Sequence, residues 1–128
     1  MDSHTFVDTN PDRIFALLPD LGEKEKTLIK KACDFAERAH TGQLRKSGEP
    51  YYNHVFATGV NLATLRMDAD TIAAGIMHDV LEDTPVTSEE MTEAFGEHIT
   101  KVVDGVTKLG KLRYTGAERH VESLRKFF

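Results

Sequence analysis

The chain contains a single cysteine, Cys33, among 128 residues, so no disulfide can form within it. That usage suits a reducing compartment. A basic excess is also lacking: 16 Lys and Arg stand against 21 Asp and Glu, for a net charge of −5. This argues against a surface for non-specific nucleic-acid binding, and we expect no direct nucleic-acid contact. No apolar run approaches the length of a membrane span, and the first residues lack a basic-then-apolar signal pattern. A cytoplasmic protein without a membrane partner is the expectation. There is no internal repeat, no low-complexity tract and no alternating strand pattern. What remains is ordinary for a globular protein, 40% hydrophobic and 29% charged, at a length that suits one domain with a real core.

The periodicity is helical nearly throughout, which predicts an all-α fold. Asn10-Pro11 reads as an N-cap with proline at the first helical position, opening a short helix with Ile14, Leu17 and Leu18 inward. Pro19 and Gly22 end it. A longer helix over 23–40 places Leu28, Ala32, Phe35, Ala36 and Ala39 on one stripe, with Gly42 as its stop. Cys33 lies in that helix without thiolate-activating neighbours and reads as a small core or boundary residue. Residues 42–50 form a loop carrying Arg45-Lys46-Ser47-Gly48. A third helix spans 52–65, with His54 near its start. After a turn at 68–70, a fourth helix over 71–81 is apolar on most sides (Ile72, Ala73, Ala74, Ile76, Met77, Val80) and is expected to be central and buried. Thr84-Pro85 breaks it.

Thr87-Ser88-Glu89-Glu90 is a capping box that starts a fifth helix. Gly96 separates it from a sixth, with Ile99, Val102, Val103 and Val106 inward. A second box at Thr115-Gly116-Ala117-Glu118 opens a last helix with Val121, Leu124 and Phe128. That helix runs off the sequence at Phe127-Phe128 with no capping glycine. We therefore expect a truncated domain over 1–128 that something apolar would complete, and an exposed end prone to self-association.

Chemistry concentrates in His78-Asp79-Val80-Leu81-Glu82-Asp83. On a continuous helix His78 and Glu82 lie about 40° apart, with Asp79 and Asp83 paired beside them, all within a sector of about 140°. Four ionisable groups on one side of an apolar helix are costly unless something there needs them. A divalent metal and a hydrolytic water would. Adjacent imidazole and carboxylate donors suit manganese, iron, zinc or magnesium. His54, 24 residues upstream on the neighbouring helix, is the best third ligand; His40 and His98 are further possibilities. The plain alternative is a helix-end pair, since a histidine is favourable at a helix C-terminus. Two acids there are not, so that alternative leaves Glu82 and Asp83 unexplained.

The segments 35–40, 42–51, His54, 73–84, Phe95-Gly96 and 103–109 (Val-Asp-Gly-Val-Thr-Lys-Leu) resemble, in order, the N-terminal hydrolase domain of RelA/SpoT proteins. Gly105-Val106-Thr107-Lys108-Leu109 is more similar to the long members than to the small stand-alone hydrolases. The resemblance implies an HD-superfamily helical bundle around a buried metal-binding helix. It implies removal of the 3′-pyrophosphate from the stringent-response alarmones ppGpp and pppGpp with Mn²⁺. Residue by residue, it implies His54, His78 and Asp79 as metal ligands, Glu82 and Asp83 as the catalytic acids, and Arg45, Lys46 and Ser47 as the loop on the guanine end. Val55 stands where the family usually has proline. The family's fourth ligand, an aspartate in a later helix, and its nearby nucleotide-contacting asparagine fall beyond Phe128. Long members also carry synthetase and regulatory domains, which would contact this one and of which none is present here. Long members with a degenerate hydrolase domain lose the His-Asp and Glu-Asp residues, and here both pairs are intact.

Arg45 would stack on the base and Lys46 meet a phosphate. The two acids would move the proton of the attacking water, their pKa values pushed apart by proximity. Taken without the resemblance, Arg45-Lys46 reads as a solvated basic loop. Lys108, Lys111 and Arg113 read as a connector, His4 and His120 as surface residues, and Tyr51 and Tyr52 as packing at the loop exit. Two alternatives stay open: an HD phosphohydrolase for another nucleotide, and an inactive nucleotide-binding or interdomain-contact fragment.

Overall fold

The computed structural model describes residues 7–112, with side chains through Lys108. Within these residues lie α1 (Asp12–Phe15), α2 (Glu23–Ala39), α3 (Tyr51–Thr64), α4 (Ala69–Met77), α5 (Val80–Asp83) and α6 (Ser88–Leu112). The described residues contain no strand, only an isolated bridge between Leu44 and Pro50. The fold is all-α, as the periodicity predicts.

Helix α4 is the centre. Ala69 and every residue from Ile72 to Met77 are buried, and α2, α3 and α6 pack around it. A helix apolar on all sides has no solvent face to offer, so it must be surrounded. Burying each of Ile72, Ile76 and Met77 is worth about 1.5–3 kcal/mol. The α3–α4 crossing is close because two positions lack a Cβ. One at Gly59 would stand 2.8 Å from Ile76 Cγ1, and one at Gly75 would overlap Leu62 Cδ1.

Several boundaries differ from expectation. Asn10 does cap α1, its Oδ1 accepting the Asp12 amide at 2.9 Å. That helix lasts four residues, however, so Ile14 is buried and Leu18 half-buried while Leu17 is exposed. The buried stripe of α2 is Ile29, Ala32, Cys33 and Ala36, with Leu28, Phe35 and Ala39 half-buried beside it. Cys33 is thus a core residue, and its burial pushes the thiol pKa up to about 11. The turn expected at 68–70 is already helix, because the Asp68 side chain accepts the Thr71 amide at 2.8 Å and starts α4 at Ala69. The box at Thr87 is reciprocal: Glu90 Oε1 accepts from the Thr87 amide at 3.0 Å, and Thr87 Oγ1 from the Glu90 amide at 3.1 Å. Gly96, at φ 88° and ψ 165°, is non-helical and separates two helical segments of α6, as expected. Beyond the kink Ile99 and Val103 are buried.

The main correction concerns the fourth helix. It stops at Met77 and does not run to Leu81. At the break the His78 amide reaches Gly75 O at 3.4 Å, a tightened turn, before α5 resumes with Asp83 N–H to Asp79 O at 2.8 Å. Side chains meet the backbone there. The His78 ring donates from Nδ1 to Gly75 O at 2.6 Å, and Thr107 Oγ1 of α6 donates to His78 O at 3.1 Å. His78 and Asp79 therefore sit on a turn between two helices, and the four ionisable groups do not share one continuous helical sector. The helix expected from Thr115, His4, His120, Arg113, Phe127-Phe128 and the Lys111 side chain lie outside the described residues.

Candidate active site

The break turns His78 and Asp79 toward one another. Gly75 O can only accept, so Nδ1 of His78 carries a hydrogen. This directs Nε2 to Asp79 Oδ1, 3.2 Å away. The other carboxylate oxygen, Oδ2, accepts from the Tyr51 hydroxyl at 2.5 Å. Both side chains are mostly buried, at 12% and 20% exposure. Two neighbouring donors on one divalent ion, each about 2.1 Å from it, stand roughly 3.0–3.4 Å apart, depending on octahedral or tetrahedral geometry. The His78–Asp79 pair meets that spacing, with the right nitrogen forward.

His54, on the first turns of α3, is half-buried and faces the same region. Burial holds its imidazole below the usual pKa; the Arg45 charge adds to this, Asp79 opposes it and His78 contributes weakly. A neutral imidazole is the form that binds metals. Its ring stands edge-on to Tyr51 at 5.6 Å. As the side chains stand, the described residues contain no group of three His, Cys, Asp or Glu closed around one point. Two of the three expected ligands are paired, and His54 lies alongside.

Glu82 and Asp83 follow on α5, both exposed. Burial raises the Asp83 pKa above the ordinary aspartate value, and the charges of Asp79 and Glu82 raise it further. The acids are thus gathered closely enough to feel one another. Of the other two histidines considered as ligands, His98 is exposed and pairs with Asp70 at 2.9 Å. That is the opposite end of α4, about 12 Å from His78 at 1.5 Å per residue. His40 does reach the site. It is 2% exposed, bonds Gln43 Oε1 through Nδ1 at 2.8 Å, and stacks at 5.0 Å on Tyr51.

The 42–50 loop folds back on itself. Arg45 N–H reaches Glu49 O at 2.8 Å, Gly48 N–H reaches Arg45 O at 2.9 Å, and Tyr51 N–H reaches Gln43 O at 2.8 Å. Gly48 takes φ 90°, which a side chain would strain. Arg45, Lys46 and Ser47 are exposed and line an open groove of about 670 Å³, closed on one side by Tyr51. Lys108, by contrast, pairs with Asp104 at 3.0 Å on the surface of α6.

A model of the HD domain matches residues 32–128. The chain belongs to the HD domain family. The match takes in the second half of α2, all of α3 to α5, α6 and every site residue described above. The HD domain here is similar to the guanosine-3′,5′-bis(diphosphate) 3′-pyrophosphohydrolase of Aquifex aeolicus, 47% identical over 98 residues, 77% of this chain and 14% of that protein. It is similar to the GTP pyrophosphokinase of Myxococcus xanthus, 44% identical over 103 residues, 77% of this chain and 14% of that protein. The bifunctional (p)ppGpp synthase/hydrolase SpoT of Escherichia coli is 40% identical over 107 residues, 83% of this chain and 15% of that protein. The chain thus spans about one seventh of the length of these relatives.

Tyr51 is the site residue that sequence reasoning assigned to packing. Tyr52 does pack, buried against Cys33. The available signal was position: Tyr51 is N1 of α3, so its side chain leaves the helix beside His54 at i+3.

Proposed function

We propose that this chain carries the hydrolase centre of a RelA/SpoT-type protein, cleaving the 3′-pyrophosphate from ppGpp or pppGpp to leave GDP or GTP. The observation that carries the reading is the junction at Tyr51. Its hydroxyl bonds one half of the His78-Asp79 pair, and its ring closes the groove of the Arg45–Ser47 loop. A diphosphate held at the pair and a nucleotide held in the groove would share one wall. Relatives of similar sequence bear the name of that reaction.

The residues have distinct tasks in it. His54, His78 and Asp79 would hold a divalent ion, with Mn²⁺ the first choice for a phosphate substrate; such an ion, when bound, polarises the diphosphate and acidifies water. Arg45 offers a planar cation to the guanine face, Lys46 a point charge to phosphate, and Ser47 a hydroxyl to the nucleotide. Glu82 and Asp83 would orient the attacking water and move protons between it and the leaving pyrophosphate; burial and the charges of Asp79 and Glu82 hold the Asp83 carboxyl above the ordinary aspartate range. The buried thiol of Cys33 and the described helices, none long and apolar enough to cross a membrane, fit a cytoplasmic enzyme.

A second reading is a nucleotide-binding or interdomain-contact segment without turnover. The unclosed three-ligand set favours it. Pyrophosphate release from ppGpp with Mn²⁺, beside a Glu82→Gln control, decides between them. Turnover that the control abolishes supports the hydrolase. Folded, metal-loaded protein without turnover supports the second reading.

A further inference from the structure

Asp79 presents its two oxygens to different partners: Oδ1 faces His78 Nε2 at 3.2 Å, and Oδ2 accepts from the Tyr51 hydroxyl at 2.5 Å. A hydrogen bond at one oxygen restrains the carboxylate's rotation, so the Tyr51 hydroxyl favours the orientation that offers the other oxygen beside His78. Tyr51 is itself held on three sides. Its amide donates to Gln43 O at 2.8 Å. Its ring lies against His40 at 5.0 Å and meets the edge of His54 at 5.6 Å. His40 is buried and tied to Gln43 Oε1 through Nδ1, and among the described residues nothing bonds its Nε2. Gln43 in turn opens the groove that Arg45, Lys46 and Ser47 line.

We infer that Tyr51 is a positioning residue: it sets the Asp79 carboxylate in its metal-binding orientation, and Gln43 and His40 hold it in place from the nucleotide loop. The inference rests on the metal-dependent reading of the site. It goes beyond that reading by making cation affinity depend on a residue that touches no cation. Asp79 is the ligand; Tyr51 acts through it.

The test is a calorimetric Mn²⁺ titration of the 128-residue chain, its Tyr51→Phe variant and an Asp79→Ala control, with metal-free thermal midpoints measured alongside. Tyr51→Phe keeps the ring and should leave the metal-free midpoint nearly unchanged. It should weaken Mn²⁺ binding about 10–100-fold, and kcat for ppGpp should fall with little change in KM. A merely structural role would move the midpoint or KM first. Should Tyr51→Phe not fold, Gln43→Met is the second variant. It frees His40 without touching the hydroxyl and should shift Mn²⁺ affinity in the same direction by a smaller factor. Wild-type affinity in a folded variant, with Asp79→Ala defective, overturns the role of Tyr51 and leaves the site standing. Equal Mn²⁺ affinity in wild type and Asp79→Ala overturns the metal-site reading and this inference with it.

Discussion

The two ends of α4 are built on opposite terms. At the first, Asp68 accepts the Thr71 amide at 2.8 Å, and its charge lies where the helix dipole is positive. Those contacts hold its carboxyl below the ordinary range. Just past the other end, Asp79, Glu82 and Asp83 gather within five residues, Asp79 at the start of α5 and the other two in its only turn. No left-handed glycine caps the helix, and burial pushes the Asp83 pKa up. One end is arranged for folding. The other accumulates charge that folding alone would avoid, and the core between them supplies the stability that permits it.

Glu82→Gln sharpens this contrast most. Turnover of ppGpp should fall about 10²–10⁴-fold while the metal-free thermal midpoint stays the same or rises. A large drop in midpoint would break the comparison by making the acidic end structural. Next, Gly75→Val tests the core that joins the two ends. Its new side chain must displace Leu62 and should cost about 1–3 kcal/mol in a urea titration. Asp68→Ala should cost about 1 kcal/mol in the same assay, with ppGpp turnover unchanged under conditions where the protein is folded.

The smallest effect lies in pH dependence, where the ends should behave oppositely. The folded-state pKa of Asp68 is depressed, so its contribution is complete above the ordinary 3.8 and is lost as pH falls below it. That of Asp83 is raised, so its contribution is complete below 3.8 and is lost as pH rises above it. In metal-free protein, Asp68→Asn should flatten the stability profile on the acid side of 3.8, and Asp83→Asn on the alkaline side. Urea midpoints across pH 2.5–6, a range set by those ordinary values, check both. Profiles that move together would erase the distinction between the ends.

Much of this was legible because it depends on local chemistry. The burial of α4 follows from Ile72 to Met77 having no polar face, and the capping box at Thr87 is a purely local pattern. The site residues were legible as residue types, and their placement was not. Periodicity at 71–81 reads as one helix, since nothing in the sequence shows that Thr107 on another helix will take the His78 carbonyl. Asp68 was read as turn, although an aspartate three residues before Thr71 is an N-cap signal in its own right. Leu17 was placed inward by periodicity in a helix that ends two residues before it. Tyr51 carries no motif at all. Its role depends on a 28-residue separation from Asp79 that only the packing of α3 on α4 closes.

The Thr107 hydroxyl bond to His78 spans 29 residues, and it orders events in time. Contacts so distant in sequence form late, after the loops between them have closed. A nascent chain that has joined α2, α3 and α4 already has most of its apolar core. It still lacks the Thr107 hydroxyl bond to the carbonyl of the His-Asp turn until the far half of α6 docks. The charged turn is therefore set last, when the core is already dry, and a chain stalled before residue 107 would be collapsed but chemically unfinished.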